Sequence, residues 1–190
     1  MTRFRLLGLT TIAVLTLAGT SAAATHPNPK TLVLRLKDVP RGFGVQTTTN
    51  YTIQGAASDG GVTVAQLRSW GYLAAYEIDF ARTVQVSKTA RGAFGVYSFA
   101  SIFASPQGAH SRWAARVKSC RPTKGLTAKI GDATRFCSAV TTVASRVVQA
   151  YYVIWTHNDA FETLVAYGNK GRVAPAQALA LAKLQDARMH

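Results

Sequence analysis

The feature that most constrains the fold is a run of β-branched and aromatic residues at positions 147–155. Such residues pack well on the pleated surface of a strand, and both alternating faces of this run are largely apolar. Residues 157–159, His-Asn-Asp, then interrupt it with side chains that tolerate turn conformations. Residues 161–167 resume with apolar positions at period two. The pattern predicts a β-hairpin, and the Ala/Leu-rich segment after Pro175 predicts a helix that covers one face of it.

Further strands are expected upstream of this hairpin. Residues 72–80 alternate between large apolar and smaller or acidic residues, and residues 94–104 predict the returning antiparallel strand. Residues 134–140 predict another strand, whereas residues 46–61 are rich in Thr, Ser, Asn and Gly and predict a loop. Ser105-Pro106 is typical of a helix start. We therefore expect an α+β fold with an antiparallel sheet of about five or six strands and helices packed mainly on one face.

The first 24 residues have the order of a secretory signal peptide. Arg3 and Arg5 precede an apolar run at residues 6–19, and the small residues Ser-Ala-Ala-Ala follow at 21–24. The alternative is a retained membrane anchor, but spanning a bilayer takes about 20 mostly apolar residues and this run contains three threonines. We expect a cleaved signal peptide at 1–24, followed by a single exported domain at 25–190 that begins with a flexible lead-in and has no membrane span.

The chain has two cysteines, Cys120 and Cys137, and both lie in the expected exported part. An even number of cysteines in an oxidising compartment predicts a disulfide, with two buried free thiols as the alternative. Neither Cys-x-x-Cys nor His-x-x-x-His spacing accompanies them. We therefore expect no metal site, and the sequence predicts no cofactor.

Positive charge is the main compositional signal. The formal net charge is +14, and loss of Arg3 and Arg5 with the signal peptide lowers it to +12. A strongly basic exported protein attracts anionic polymers, but scattered basic residues do not predict specific nucleic-acid recognition. The densest basic cluster lies at the end of the helix after Ser105 and just beyond it. Its members are Arg112, Arg116, Lys118 and Arg121, which we predict to bind phosphate or carboxylate groups; a solvated helix face is the alternative.

Candidates for catalysis are few. Glu77 and Asp79 share one strand face, about 6.5–7 Å apart at the backbone. Glycosidases use paired carboxylates at comparable separations, although a solvated face or pairing with Arg82 would explain both residues equally. His157 lies beside Asp159 in the predicted turn, but the sequence has no Gly-x-Ser-x-Gly nucleophile turn. These three residues are weak candidates, and the sequence favours a protein that is not an enzyme.

Several short segments carry a family resemblance. They are Leu36 with Asp38-Val39-Pro40-x-Gly42-Phe43, then Ile130-Gly131-Asp132, the strand at 152–155, and the closing helix at 182–188. With these the chain resembles uncharacterised secreted proteins of high-GC Gram-positive bacteria. More loosely, its order of elements is similar to extracytoplasmic sensor and lipoprotein domains of that group, which have helices packed on an antiparallel sheet. The resemblance implies a secreted α+β domain and supplies no catalytic residues.

These observations lead to two functional hypotheses. The first is a secreted, non-catalytic binding module of the bacterial cell envelope or medium, whose ligand is an anionic polymer or an apolar small molecule. The apolar ligand would occupy a cleft lined by aromatic residues of the sheet, unless these only form the core. The residues are Tyr72, Tyr76, Phe80, Tyr97, Phe99 and Phe103. The alternative is a small secreted hydrolase that acts on envelope material. The sequence does not predict the oligomeric state.

Overall fold

The computed structural model of the chain describes residues 25–124, 126–143 and 145–190. The predicted signal peptide, residues 1–24, lies outside this part of the chain. None of the helices in the described part has the length and hydrophobicity that crossing a bilayer requires.

Six strands form one antiparallel sheet in the order β1-β2-β3-β6-β5-β4. The strands are β1 Gly44–Tyr51, β2 Tyr72–Ala81, β3 Gly95–Phe103, β4 Ala133–Val143, β5 Arg146–His157 and β6 Ala160–Asn169. Each half of the chain forms a three-stranded meander, and the two meanders join where β3 pairs with β6. Phe99 lies opposite Thr163 in this central pair. The predicted α+β class and the predicted hairpin, now β5 and β6, are confirmed.

In the described part of the chain, six helices accompany the sheet: α1 Pro29–Leu32, α2 Ile53–Gly60, α3 Val64–Ser69, α4 Val84–Thr89, α5 Pro106–Val117 and α6 Pro175–Asp186. Short 3-10 turns occupy Leu36–Asp38 and Ala187–Met189. Helix α5 begins as its sequence predicts, because the Ser105 hydroxyl accepts a hydrogen bond from the Gly108 amide and Pro106 occupies the first turn.

The helices lie on both faces of the sheet. On one side, here the α5 face, Phe99 and Phe161 share a buried cluster with Ala56 of α2, Leu67 of α3 and Ala109 of α5. On the other, the α6 face, helix α6 packs over Val96, Trp155 and Leu164 in a second cluster. The sequence predicted helices mainly on one face. The central strands β3 and β6 instead bury almost every residue, so each needs apolar cover on both sides.

The segment predicted as a loop, residues 46–61, is ordered. It forms most of strand β1 and then helix α2, which begins at the Thr52 cap. Strand β1 lies at an edge of the sheet and most of its residues are exposed, so it carries no apolar alternation from which a strand is recognised. Its three consecutive threonines are β-branched residues that suit an edge strand.

Cys120 and Cys137 form a disulfide, with their Cα atoms 5.5 Å apart. Cys120 follows the end of α5 and Cys137 lies in β4. The predicted cross-link is therefore confirmed, and it joins the helix of the α5 face to the outermost strand of the second meander.

Candidate functional site

A cavity of about 400 Å³, partly open to solvent, lies between the α5 face of the sheet and helices α2 and α5. Its walls are mostly apolar or aromatic side chains from β3, β5 and β6, including Phe99, Phe161, Val148 and Val165. Polar groups are few and come from tyrosine and threonine hydroxyls, Arg112 and Arg116 of α5, and Asp59 of α2. This composition is typical of small-molecule pockets, in which apolar walls surround a few placed polar groups.

Arg112 is the most unusual residue in the lining. Its side chain is buried, with 6% exposed, and its Nη1 donates a hydrogen bond to the Gly60 carbonyl at 3.0 Å. The guanidinium carbon lies 5.3 Å from the centre of the Phe161 ring. Within the described part of the chain, no carboxylate lies within ion-pair distance of it. Burial, together with the nearby Arg116 charge, lowers the pKa of Arg112 to about 10.

The glycine at the end of α2 makes room for this guanidinium. A Cβ atom on Gly60 would lie 2.1 Å from Nη2 of Arg112. Because Gly60 has no side chain, the helix backbone can approach the guanidinium closely enough to accept its hydrogen bond. The position of Arg112 therefore depends on the residue type at position 60.

The four predicted basic ligands do not share one surface. Arg112 and Arg116 line the cavity, whereas Lys118 and Arg121 are exposed and lie outside its lining. Arg121 borders a separate depression beside the disulfide. The alternative of a solvated helix face is wrong for Arg112, because three residues after the buried Ala109 it faces the sheet.

Tyrosines and carboxylates form a polar group at one side of the cavity. The Tyr51 hydroxyl contacts Asp59 Oδ2 at 2.5 Å and also Glu77 Oε2. The Tyr167 hydroxyl donates to Asp79 Oδ1 at 3.4 Å. Burial raises the pKa of Tyr51 and of Tyr167, so both phenols stay protonated at neutral pH. Burial also raises the pKa of Asp79.

Glu77 and Asp79, the predicted catalytic pair, are half-buried and not on a flat solvated face. Neither belongs to the cavity lining, whereas Tyr51 and Tyr167 do, and their hydroxyls contact the Glu77 and Asp79 carboxylates. The predicted alternative of pairing with Arg82 does not occur, since the Arg82 guanidinium lies over the Phe43 ring at 4.8 Å. The cavity lining therefore contains the phenol groups of Tyr51 and Tyr167 and the Asp59 carboxylate, but neither carboxylate of the predicted pair.

His157 lies away from this site, at the end of β5 beside helix α6. Its Nδ1 is 3.1 Å from Asp186 Oδ1, and its ring centre is 4.6 Å from that of His190. Its sequence neighbour Asp159 instead contacts Nδ1 of His26 at 2.6 Å. The structure therefore does not bring His157 together with Glu77 and Asp79.

The site residues that were not predicted from the sequence include Tyr51, Asp59 and Gly60. All three belong to β1 and α2, in the segment that was predicted to be a loop. The capping threonine at position 52, followed by Ile53, was the available sign of a helix start.

No family model and no curated protein matches the sequence. Among solved structures, the chain is similar to the extracellular domain of PknH from Mycobacterium tuberculosis. The TM-score is 0.49 at 10% sequence identity, and the match covers 86% of this chain and 98% of that domain. This is a weak similarity of fold.

Proposed function

We propose that this protein is a non-catalytic binding module that acts outside the cytoplasm, and that its ligand is a small molecule with an apolar body and one anionic group. The observation that carries the proposal is the buried guanidinium of Arg112 in a mostly apolar cavity. The apolar body would lie against Phe99, Phe161 and Val165, and the anionic group would lie at Arg112 and Arg116.

The cost of burying a charge supports this choice of ligand. A buried cation is expensive unless a counter-charge or several hydrogen bonds compensate it. Within the described residues, the Arg112 guanidinium has one hydrogen-bond acceptor, the Gly60 carbonyl, and no carboxylate within ion-pair distance. A carboxylate or phosphate on a ligand would supply the missing partner, and guanidinium groups bind both in a bidentate manner.

Location outside the cytoplasm is supported by two features. The disulfide Cys120–Cys137 is typical of proteins from oxidising compartments. The sequence pattern of residues 1–24 is that of an export signal. Cell-envelope material or the medium would then be the source of the ligand.

The other two hypotheses receive less support. An anionic polymer would need a continuous basic surface, whereas Arg112 is buried away from the exposed Lys118 and Arg121. A hydrolase would need Glu77 and Asp79 to face its substrate, and neither residue lines the cavity. We therefore propose binding without catalysis.

Calorimetric titration with decanoate and its uncharged analogue decanol tests the ligand class. We expect decanoate to bind the wild-type protein at least 10-fold more tightly than decanol does. Arg112→Met should weaken decanoate binding at least 10-fold and change decanol binding little, since a hydrogen bond to a charged group contributes about 1.5–3 kcal/mol. The same variant should unfold at an equal or higher temperature, because replacing an uncompensated buried charge with an apolar side chain is often neutral or stabilising.

Two further variants make this test specific. Gly60→Ala moves the Arg112 guanidinium without removing it and should also weaken decanoate binding. Lys118→Met removes an exposed cation near the end of the same helix and should have no effect. Equal decanoate affinity in the wild type and Arg112→Met, or no binding of either probe, would refute the proposal. If Lys118→Met instead lost decanoate binding, and binding by the wild-type protein weakened steeply with salt, the polymer hypothesis would be supported.

A further inference from the structure

A second group of side chains lies at the end of the sheet where β5, α6 and the last 3-10 turn meet. His157 comes from the end of β5, Asp186 from the last residue of α6, and His190 from just after the turn. One ligand atom of each lies within 4.8 Å of the other two. His157 and His190 are 33 positions apart in the sequence, and the packing of α6 on the sheet places them close together.

We propose that His157, Asp186 and His190 bind one divalent transition-metal ion of the Zn²⁺ class. Imidazole nitrogens and carboxylate oxygens are the ligands that such ions prefer, and two histidines with one carboxylate form a common set. Three protein ligands leave a coordination position open for water or for a group from outside. The site is independent of the proposed cavity ligand, which binds on the opposite face of the sheet.

The distances fit this proposal. With metal–ligand bonds of about 2.0–2.2 Å, the ligand atoms of a tetrahedral site lie about 3.3–3.5 Å apart. The His157 Nδ1 and Asp186 Oδ1 atoms are already 3.1 Å apart. His190 is exposed and follows a 3-10 turn, so a change of side-chain rotamer brings its ring nitrogen closer without moving α6 or β5.

The local charge also allows a cation. The side chains of His157 and Asp186 are mostly buried, with 13% and 19% exposed, so bulk water screens their interaction with an ion only weakly. Arg188, the cationic residue closest to Asp186 in the sequence, contacts Asp38 through its Nη2 atom. Its positive charge is therefore compensated by another carboxylate.

The chain contains a matched control in the pair of His26 and Asp159. Here Nδ1 of His26 lies 2.6 Å from a carboxylate oxygen of Asp159, a shorter contact than the 3.1 Å at His157. Among the described residues, however, no third metal-binding side chain joins this pair. A simple contact between one imidazole and one carboxylate explains His26. The second imidazole distinguishes the group at His157 from such a pair.

The test is a titration of the untagged full chain with ZnCl₂, in which calorimetry measures the heat of binding. We expect one saturable site per chain, and His190→Ala or His157→Gln should weaken it at least 10-fold. His26→Gln should bind as the wild type does. Because His190 is exposed, its replacement should leave the circular dichroism spectrum unchanged, which separates loss of a ligand from loss of the fold.

Titration with Co²⁺ in place of Zn²⁺ provides a second readout, because the visible absorption of bound Co²⁺ depends on its ligands and coordination number. The spectrum of Co²⁺-bound His190→Ala should differ from that of the wild type, and the spectrum of His26→Gln should not. Absence of saturable Zn²⁺ binding, or equal affinity in the wild type and His190→Ala, would overturn the proposal. Decanoate binding measured in EDTA should be unaffected by either result, so this proposal and the cavity proposal fail separately.

Discussion

Removing the disulfide is expected to lower the free energy of unfolding by about 3 kcal/mol, a large part of the roughly 5–15 kcal/mol that stabilises a typical domain. Cys120 and Cys137 are separated by 17 residues, and closing a loop of this length restricts the unfolded chain by about that amount in the chain-entropy model. The suitable variant is Cys120→Ser with Cys137→Ala. Cys137 is buried, and a serine there would add a polar group to an apolar site.

The disulfide also fixes a segment along the edge of the sheet. Just after Cys120, the Thr123 amide donates to the Phe136 carbonyl and the Ser138 amide donates to the Arg121 carbonyl, each at 3.0 Å. These bonds cover part of the outer edge of β4, which is otherwise free to pair with another chain. We therefore expect the cysteine-free variant to aggregate more readily as well as to unfold at lower denaturant concentration.

Urea unfolding followed by tryptophan fluorescence measures the effect. The oxidised wild type should have the highest midpoint, and the wild type unfolded and refolded in reductant should match the double variant. Coincident curves for the oxidised wild type and the double variant would show that the disulfide contributes nothing to equilibrium stability.

The second meander was the part of the fold that the sequence predicted best. Residues 147–155 are apolar on both alternating faces, and such a run forms a strand only where both faces are covered. The hairpin β5–β6 followed correctly from this pattern. The same pattern also indicates that both sides of the sheet are covered. The prediction of helices mainly on one face did not take this into account.

The cavity was less predictable because it depends on the pairing of distant strands. Tyr51 reaches Glu77 since β1 pairs with β2, and an exposed edge strand carries no apolar period that shows this pairing. Arg112 was assigned to a basic helix face by its charge. Its spacing of three from Ala109 indicates the buried side of α5, but only the position of Gly60 explains how a guanidinium fits there.

The α6 face contains a buried acid that the sequence did not single out. Glu162 of β6 is fully buried, and its Oε2 accepts a hydrogen bond from Gln185 Nε2 at 2.8 Å. Gln185 in turn accepts from the Ser98 hydroxyl at 2.7 Å. Glu162 Oε1 has no hydrogen-bond partner among the described residues. Burial raises the pKa of Glu162 to about 8, and the nearby Asp186 charge adds to this, while the Gln185 bond opposes it.

Glu162→Gln is therefore expected to stabilise the protein by about 3 kcal/mol at pH 7. In the unfolded chain the Glu162 carboxyl has its ordinary pKa of 4.5, so between about pH 4.5 and 8 the folded protein keeps a proton that the unfolded chain releases. The free energy of unfolding of the wild type then falls by about 1.4 kcal/mol for each unit of rising pH. The glutamine amide resembles the protonated acid and does not ionise, so the variant avoids this loss.

Urea unfolding in EDTA at several pH values between 4.5 and 8 tests this expectation. The difference in stability between the two proteins should be smallest at pH 4.5, where Glu162 is protonated in the folded state and about half protonated in the unfolded chain, and it should grow as the pH rises. A difference that does not change with pH would mean that Glu162 is ionised in the folded protein throughout, and that a counter-charge compensates it despite its burial.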